Sequence, residues 1–409
     1  MAGDTAPRRP LAGVRVVDLT RVIAGPYCTL MLADMGAEVA KIEEPLHGDE
    51  LRWVGRYQGR AQHDEDYFYA SNRNKRSVCL NLKDPEERAI ARQLATVADV
   101  VVENFSPGVA ERIGMGWPEL QQRNPRLIYC SISGFGQTGP YRSRLALDPI
   151  IQAISGAMSV TGTPDGPPMQ VGAPLGDVMS GMFGAYAIVA NLLETRTTGV
   201  GRHIDISMQD AMLSVLGPRM GEALQAGISP GRLGNENPMR VPANTYATSD
   251  GRYVAVIVQN DNHWKSFCTA IDRLDLFADE RYRTMPARVQ HRKAIDDAVA
   301  GEFSRRGADE WQKRLEDNRV PYGIVNDYLD AVADEQVAHR GLIREATHPV
   351  SGPIRMVGMP WLEPPESRTV EPPPLLGQHT ADVITRWLDW PEAKARELQA
   401  KHEKLRTAA

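Results

Sequence analysis

Gly13-Val-Arg-Val-Val-Asp-Leu-Thr20, then Ala24-Gly-Pro-Tyr27 opening an apolar run that stops at Gly36, then Glu38-Val-Ala-Lys-Ile42, is the passage that decides the fold. The first eight residues alternate and are rich in β-branched side chains. The middle run has the length and composition of a helix, and the third stretch resumes the strand pattern, so the order reads strand, helix, strand. Pro26 suits the first helical turn, where its missing N–H has no partner to lose, and Gly36 suits a left-handed C-terminal stop. The pattern recurs as a strand over 77–82, a helix over 84–98, and strands over 99–103 and 127–132. Alternation of this kind implies a parallel sheet with helices on both faces. No G-x-G-x-x-G follows the first strand, so the expected α/β fold is Rossmann-like without a dinucleotide site.

A chain of 409 residues is too long for one simple core, so two domains are expected. Residues 217–244 are dense in Gly, Pro and Asn. Beyond them, 253–258 reads as a strand and 264–315 as charged, helix-forming sequence. The expected division is a large domain over 1–219, a small α/β domain over 220–330, and a return segment, 331–409, that completes the large one. The return segment carries the Pro-rich stretches Glu363-Pro-Pro-Glu366 and Glu371-Pro-Pro-Pro374 and a helix from Thr380.

With 47 basic and 52 acidic residues the net charge is −5, so no global field favours nucleic acid or an anionic membrane. An anionic ligand needs a local pocket. The N-terminal ten residues lack the apolar core of a signal peptide, and the apolar run over 178–193 falls short of the roughly 20 residues that span a bilayer. The expectation is a cytoplasmic protein. Cys28, Cys79, Cys130 and Cys268 form no C-x-x-C pair, and the nine histidines show no ligand spacing, so no metal is expected and the thiols read as buried and reduced.

Asp177, in Gly172-Ala-Pro-Leu-Gly-Asp-Val-Met-Ser-Gly181, is a lone carboxylate at the mouth of an uncharged stretch. Scarce water alters its reactivity and makes it a candidate nucleophile; the plain alternative is a helix N-cap. Lys75 and Arg76, in the basic run 72–76, and Arg112, after Glu103-Asn-Phe-Ser-Pro-Gly108, fall near strand ends, where open α/β sheets bind ligands. They could meet phosphates, with Asn104 and Phe105 as a polar group and an apolar wall, or they could be solvated charge. Gly227-Ile-Ser-Pro-Gly231 matches the letters of a serine-hydrolase elbow, but Pro230 has no N–H for the oxyanion.

These segments, taken with Pro10-Leu-Ala-Gly-Val-Arg-Val-Val-Asp-Leu19, Gly36-Ala-Glu-Val-Ala-Lys-Ile-Glu43, Asn74-Lys-Arg-Ser77, Val102-Glu-Asn-Phe105, Gly134-Phe-Gly-Gln-Thr-Gly-Pro140, Thr161-Gly-Thr-Pro-Asp-Gly-Pro-Pro168, Gly176-Asp177, Gly199-Val-Gly-Arg202, Met208-Gln-Asp-Ala211 and Leu376-Gly-Gln-His379, resemble the class III CoA-transferases. This is the family of formyl-CoA:oxalate and carnitine CoA-transferases. The resemblance implies a Rossmann-like large domain built from both chain ends, a smaller domain, and a homodimer of two interlocked, ring-like subunits. It places the nucleophile on Asp177, which would form an aspartyl-CoA thioester. It assigns CoA contacts to Val22, Asn72, Lys75, Arg76, Leu80, Lys83, Asn104, Phe105 and Arg112. Coenzyme A and acyl-CoA enter as substrates, and no prosthetic group is implied.

The related α-methylacyl-CoA racemases carry a His-Asp pair upstream of the aspartate, at a spacing that falls here on Leu147 and Asp148. Leucine carries no proton, so two-base racemisation loses half its machinery. Asp148 remains, either to orient or polarise Asp177 or to cap a helix before Pro149. Oxalate transferases have a glycine run where this chain has Gly234-Asn-Glu-Asn-Pro-Met-Arg-Val-Pro242, which disfavours oxalate and points to Asn237 and Arg240 as substrate-loop residues, Arg240 facing the distal carboxylate of a succinate-like acid. The expected activity is CoA transfer from an acyl-CoA such as succinyl-CoA to a small carboxylic acid. A racemase, or a protein that binds CoA thioesters without turning them over, stands as the alternative.

Overall fold

The computed structural model describes residues 9–54, 66–361 and 369–408. The Glu363-Pro-Pro-Glu366 stretch and the first eight residues lie outside them. Met1–Ala157, Gln170–Gly227 and Ala338–Ala409 form one compact unit, and Met158–Met169 with Ile228–Val337 form a second.

The first unit is organised by six parallel strands: β1 (Arg15–Asp18), β2 (Glu38–Glu43), β3 (Lys75–Cys79), β4 (Val100–Glu103), β5 (Ile128–Ser133) and β6 (Arg202–Ser207), in the order β3-β2-β1-β4-β5-β6. The helix Ala24–Asp34 joins β1 to β2 and contains Pro26, with Gly36 at φ +98° beyond its end. Successive strand residues point to opposite faces. Val16, Val39, Val100 and Ile128 pack with Cys28, Leu32 and Ile188 on one side, while Val17, Ala40, Val101 and Tyr129 pack with Leu94, Val383 and Trp387 on the other. The last two come from the helix Thr380–Leu388, so the chain's end completes the core that its beginning starts.

The strand expected over 77–82 begins earlier, at Lys75. A lysine and an arginine do not read as buried strand. Lys75 nonetheless enters the core because Asp18 on β1 meets its ammonium at 3.2 Å. β6 is a sheet edge, and its Arg202-His-Ile-Asp-Ile-Ser207, half polar, is a strand beyond those expected from the sequence. The apolar run at 178–193 lies within a longer helix, Leu175–Thr198, which has the length and composition to cross a membrane; its Gly181, Gly184, Ala185, Ile188 and Leu192 are buried. Within the return segment, β10 (Ile343–His348) and β11 (Gly352–Val357) pair as an antiparallel hairpin.

The second unit holds three antiparallel strands, β7 (Ala243–Ala247), β8 (Tyr253–Ile257) and β9 (Tyr322–Ile324), covered by helices that supply Trp264, Phe267, Phe303 and Trp311 to its core.

Candidate active site

Asp177 is the third residue of the helix Leu175–Thr198, whose N-cap is Pro174 and which has no side-chain cap of its own. The N-cap role that its sequence position allows is taken by another residue. Asp148, first residue of the helix Asp148–Ile154, accepts the Gly176 N–H at 2.6 Å on Oδ1 and the Gln152 amide at 2.7 Å on Oδ2. A Cβ at position 176 would stand 3.1 Å from Asp148 Oδ1 and 3.2 Å from Ile151, so glycine permits this approach. The two carboxylates therefore share one corner. Burial, and after it the charge of Asp148, push the Asp177 carboxyl up to about 7.

Close helix packing fixes where that carboxyl stands. A Cβ on Gly181 would lie 2.6 Å from the Ala24 carbonyl oxygen, and one on Gly184 would lie 3.1 Å from Cys28 Sγ. The helix Leu175–Thr198 thus runs in backbone contact with Ala24–Asp34, whose N-terminus follows β1. Asp177 opens onto a cleft of about 230 Å³ lined by Val22, Ala24, Asn104, Phe105 and Gly134 among others. β1 and β4, whose carboxyl ends frame it, are the adjacent central strands from which the order runs outward in opposite directions, the usual ligand position of an open α/β sheet.

The walls of the cleft are tied together. Asn104 accepts the Arg21 N–H at 2.9 Å and donates to the Arg21 carbonyl at 2.8 Å. Val22 sits at φ +66°, a strained conformation for a β-branched residue, with its N–H 3.3 Å from both Asp49 oxygens. Beneath this loop, Asp18 accepts bonds from Thr20, Thr29 and Lys75, and Lys41 bridges Asp49 at 2.9 Å to the Thr20 carbonyl at 2.8 Å. Burial opposes the Asp18 charge, but Lys75, Lys41 and the hydroxyls prevail and hold its pKa below the ordinary value. Burial also brings Lys75 down to about 8 against the pull of Asp18.

Of the residues assigned to CoA by resemblance, Val22, Asn104 and Phe105 line the cleft with Asp177. Arg112 is exposed and donates to the Gly108 carbonyl at 3.1 Å; a Cβ on Gly108 would lie between its guanidinium and that of Arg142, a cleft residue. The others stand apart. Lys75 donates to Asp18, Asn72 and the Pro26 carbonyl and is fully enclosed; Asn72 and Leu80 are buried with it. Arg76 pairs with Glu371 at 2.9 Å, and Lys83 faces solvent. In the second unit, Asn237 and Arg240 belong to a loop whose carbonyls at both positions accept bonds from Arg292, at 2.5 and 3.4 Å. The Arg240 side chain makes no ion pair among the described residues.

Arg21, Arg142 and Arg144 also line the cleft, and none of the three is among the candidates that the sequence singles out. Their signal was available: Arg142 and Arg144 directly follow Gly134-Phe-Gly-Gln-Thr-Gly-Pro140, at the end of β5, but as isolated cations they form no run. Arg144 stands over the Phe135 and Tyr141 rings, 5.6 and 5.4 Å from their centroids. Among the described residues no three His, Cys, Asp or Glu side chains gather as metal ligands.

CoA-transferase family III matches residues 11–380. A Mus musculus protein named succinyl-CoA:glutarate CoA-transferase is 36% identical over 398 residues, 97% of this chain and 90% of that protein. An Acetobacter aceti protein named acetyl-CoA:oxalate CoA-transferase is 39% identical over 356 residues, 87% of this chain and 89% of that one. The crystal structure of a CAIB/BAIF family protein from Brucella suis has a TM-score of 0.84 at 34% identity, covering 93% of this chain and all of that one.

Proposed function

The chain belongs to CoA-transferase family III, and from that premise we propose that it carries CoA from succinyl-CoA to a small dicarboxylate of the glutarate kind, with Asp177 as nucleophile. The observation that carries this reading is a carboxyl raised to about 7 by burial and Asp148, at the edge of a cleft lined by three guanidinium groups. Over the whole cycle one thioester is exchanged for another, so the transfer draws on no further source of energy. Asp177 attacks the thioester carbonyl and expels CoA thiolate, leaving a mixed anhydride. The thiolate attacks the aspartyl carbonyl and releases succinate, and an acceptor carboxylate then reverses both steps, returning Asp177 as carboxylate. The first-turn N–H groups of Ala24–Asp34, which no side chain caps, are the candidate oxyanion donors.

Arg21, Arg142 and Arg144 supply the positive charge for the CoA phosphates, with Arg112 at the rim and Phe105 as an apolar wall. Arg240, unpaired within its unit, is the candidate for the distal carboxylate of the acceptor. The loop Gly234–Pro242, poor in glycine, weighs against oxalate, although one relative is named for it. Domains over 1–219 with 331–409, and over 220–330, remain our division of CoA-binding and smaller parts, and an interlocked homodimer our reading of the assembly. Four buried free thiols support a reducing compartment such as the cytoplasm.

Intact-protein mass spectrometry after incubation with succinyl-CoA tests the core of this reading. A CoA adduct that maps to Asp177, is absent from Asp177→Ala, and is discharged by glutarate faster than by oxalate supports it. No adduct, with α-proton exchange in deuterated water, would transfer the site to racemase chemistry.

A further inference from the structure

Glu103, at the end of β4, is only 3% exposed and belongs to no ion pair among the described residues. Its Oε2 accepts the Phe105 N–H at 2.8 Å, so the carboxylate closes the turn that carries Asn104 and Phe105 into the cleft. Ser131, its register partner on β5, hydrogen-bonds to the same carboxyl, and Ser131 Oγ lies 3.0 Å from His203 Nε2 on β6. His203 is wedged between Trp117, stacked at 5.8 Å, and Tyr129, edge-on at 5.4 Å. A line of polar groups thus crosses three adjacent strands and ends at the cleft wall. From there Asn104 extends the line with its two bonds to the Arg21 backbone, and Arg21 leads into the Val22 loop on the opposite wall.

We propose that Glu103 is a positioning residue for the thioester: held through Ser131 by His203, its carboxyl sets the Asn104–Phe105 turn and, through Asn104, the Arg21–Ala24 loop that together receive CoA. The proposal rests on the reading of this cleft as the CoA site. Glu103 touches no reacting atom, so its effect falls on binding of the thioester and leaves the chemical step to Asp177. The surroundings agree with such a role. Burial first, with Glu111 and Asp205 adding negative charge, lifts the Glu103 carboxyl to about 7. An uncharged isostere is therefore tolerated, since its amide oxygen can accept from Phe105 and its NH2 can donate to Ser131.

The test compares Glu103→Ala, Glu103→Gln, Ser131→Ala and Phe105→Ala, with melting curves alongside. Steady-state kinetics use succinyl-CoA, and calorimetry follows CoA binding in an Asp177→Ala background. Glu103→Ala and Phe105→Ala should raise KM and the CoA dissociation constant about tenfold, leaving kcat within about threefold, while Glu103→Gln stays near wild type. Ser131→Ala should lie between, and it decides the matter if Glu103→Ala does not fold. Should Phe105→Ala leave CoA binding unchanged, the cleft reading itself fails and the proposal with it. Should Phe105→Ala weaken binding while Glu103→Ala and Ser131→Ala leave it intact, or lower kcat alone, the cleft stands and the positioning role is overturned.

Discussion

A carboxyl that titrates near 7 is half ionised where most carboxylates are fully so, and that state has consequences in both chemistry and stability. Attack requires the carboxylate, so kcat/KM should fall about tenfold per pH unit below 7 if Asp177 is the nucleophile of the free enzyme. Asp148→Asn keeps an oxygen for the Gly176 N–H but removes the neighbouring charge, so the acid limb should move to lower pH. It should remain above the ordinary aspartate range because burial, the larger cause, persists. A pH–rate profile of both proteins checks this, and an unmoved limb would separate Asp148 from Asp177. The same shift acts on folding with a definite sign. A folded pKa above the unfolded value means that ionisation costs stability as pH rises through the interval from about 4 to 7, so Asp177→Asn should melt higher than wild type at pH 8 and level with it near pH 4. A lower melting temperature at pH 8 would contradict the burial argument.

The elements around the site were legible in the sequence wherever hydrophobic period and capping agreed. The helix Pro85–Val97 shows this, with Asp84 accepting from the Glu86 and Glu87 N–H groups at its start and Ile90, Ala91 and Leu94 inward. Asp177 stood out for a comparable reason, as one charge beside many small apolar residues. Legibility failed where long-range pairing overrides local character. Nothing near Lys75 announces that Asp18, fifty-seven positions earlier, neutralises it inside the sheet. Arg144 is marked only by its place after β5, and its local sequence does not show that it shares a cleft with Arg21 and Asn104, the residues that follow β1 and β4. Lys75 permits a decisive test between support and ligand contact: Lys75→Met leaves Asp18 buried without its partner and should cost about 3–5 kcal/mol in denaturation experiments, against a small change in CoA affinity for the folded fraction. Normal stability with lost CoA binding would return Lys75 to the site. Gly181→Ala should cost about 1–3 kcal/mol by forcing a methyl against the Ala24 carbonyl, and should lower kcat beyond the loss of folded protein because Asp177 rides on the same helix.

At the scale of the molecule, the helix that carries Asp177 has apolar side chains on more than the side it buries. Gly181 packs on the helix Ala24–Asp34 and Ile188 and Leu192 on the sheet, while Met182, Phe183, Tyr186 and Leu193 are exposed, Tyr186 at 74% and Leu193 at 64%; Val200, Leu213 and Val215 are exposed in the sequence that follows. Scattered apolar residues are ordinary on a surface, but Met182, Phe183, Tyr186 and Leu193 share one face of one helix, a pattern that suits a subunit contact. Covered by a second copy, they would place each catalytic helix at the centre of an assembly, and ordering that helix would couple association to activity. Light scattering should then give twice the 45.2 kDa chain mass. If the subunits are interlocked, that mass should persist on dilution into the nanomolar range, because separation would demand unfolding as well as desolvation. Tyr186→Glu with Leu193→Glu buries two unpaired charges in such an interface, so it should abolish activity while Asp177 itself is unchanged, and the protein recovered should be monomeric or aggregated. A monodisperse wild-type chain of 45.2 kDa with full transferase activity would show instead that the exposed face serves no subunit contact, and that the site is complete in one chain.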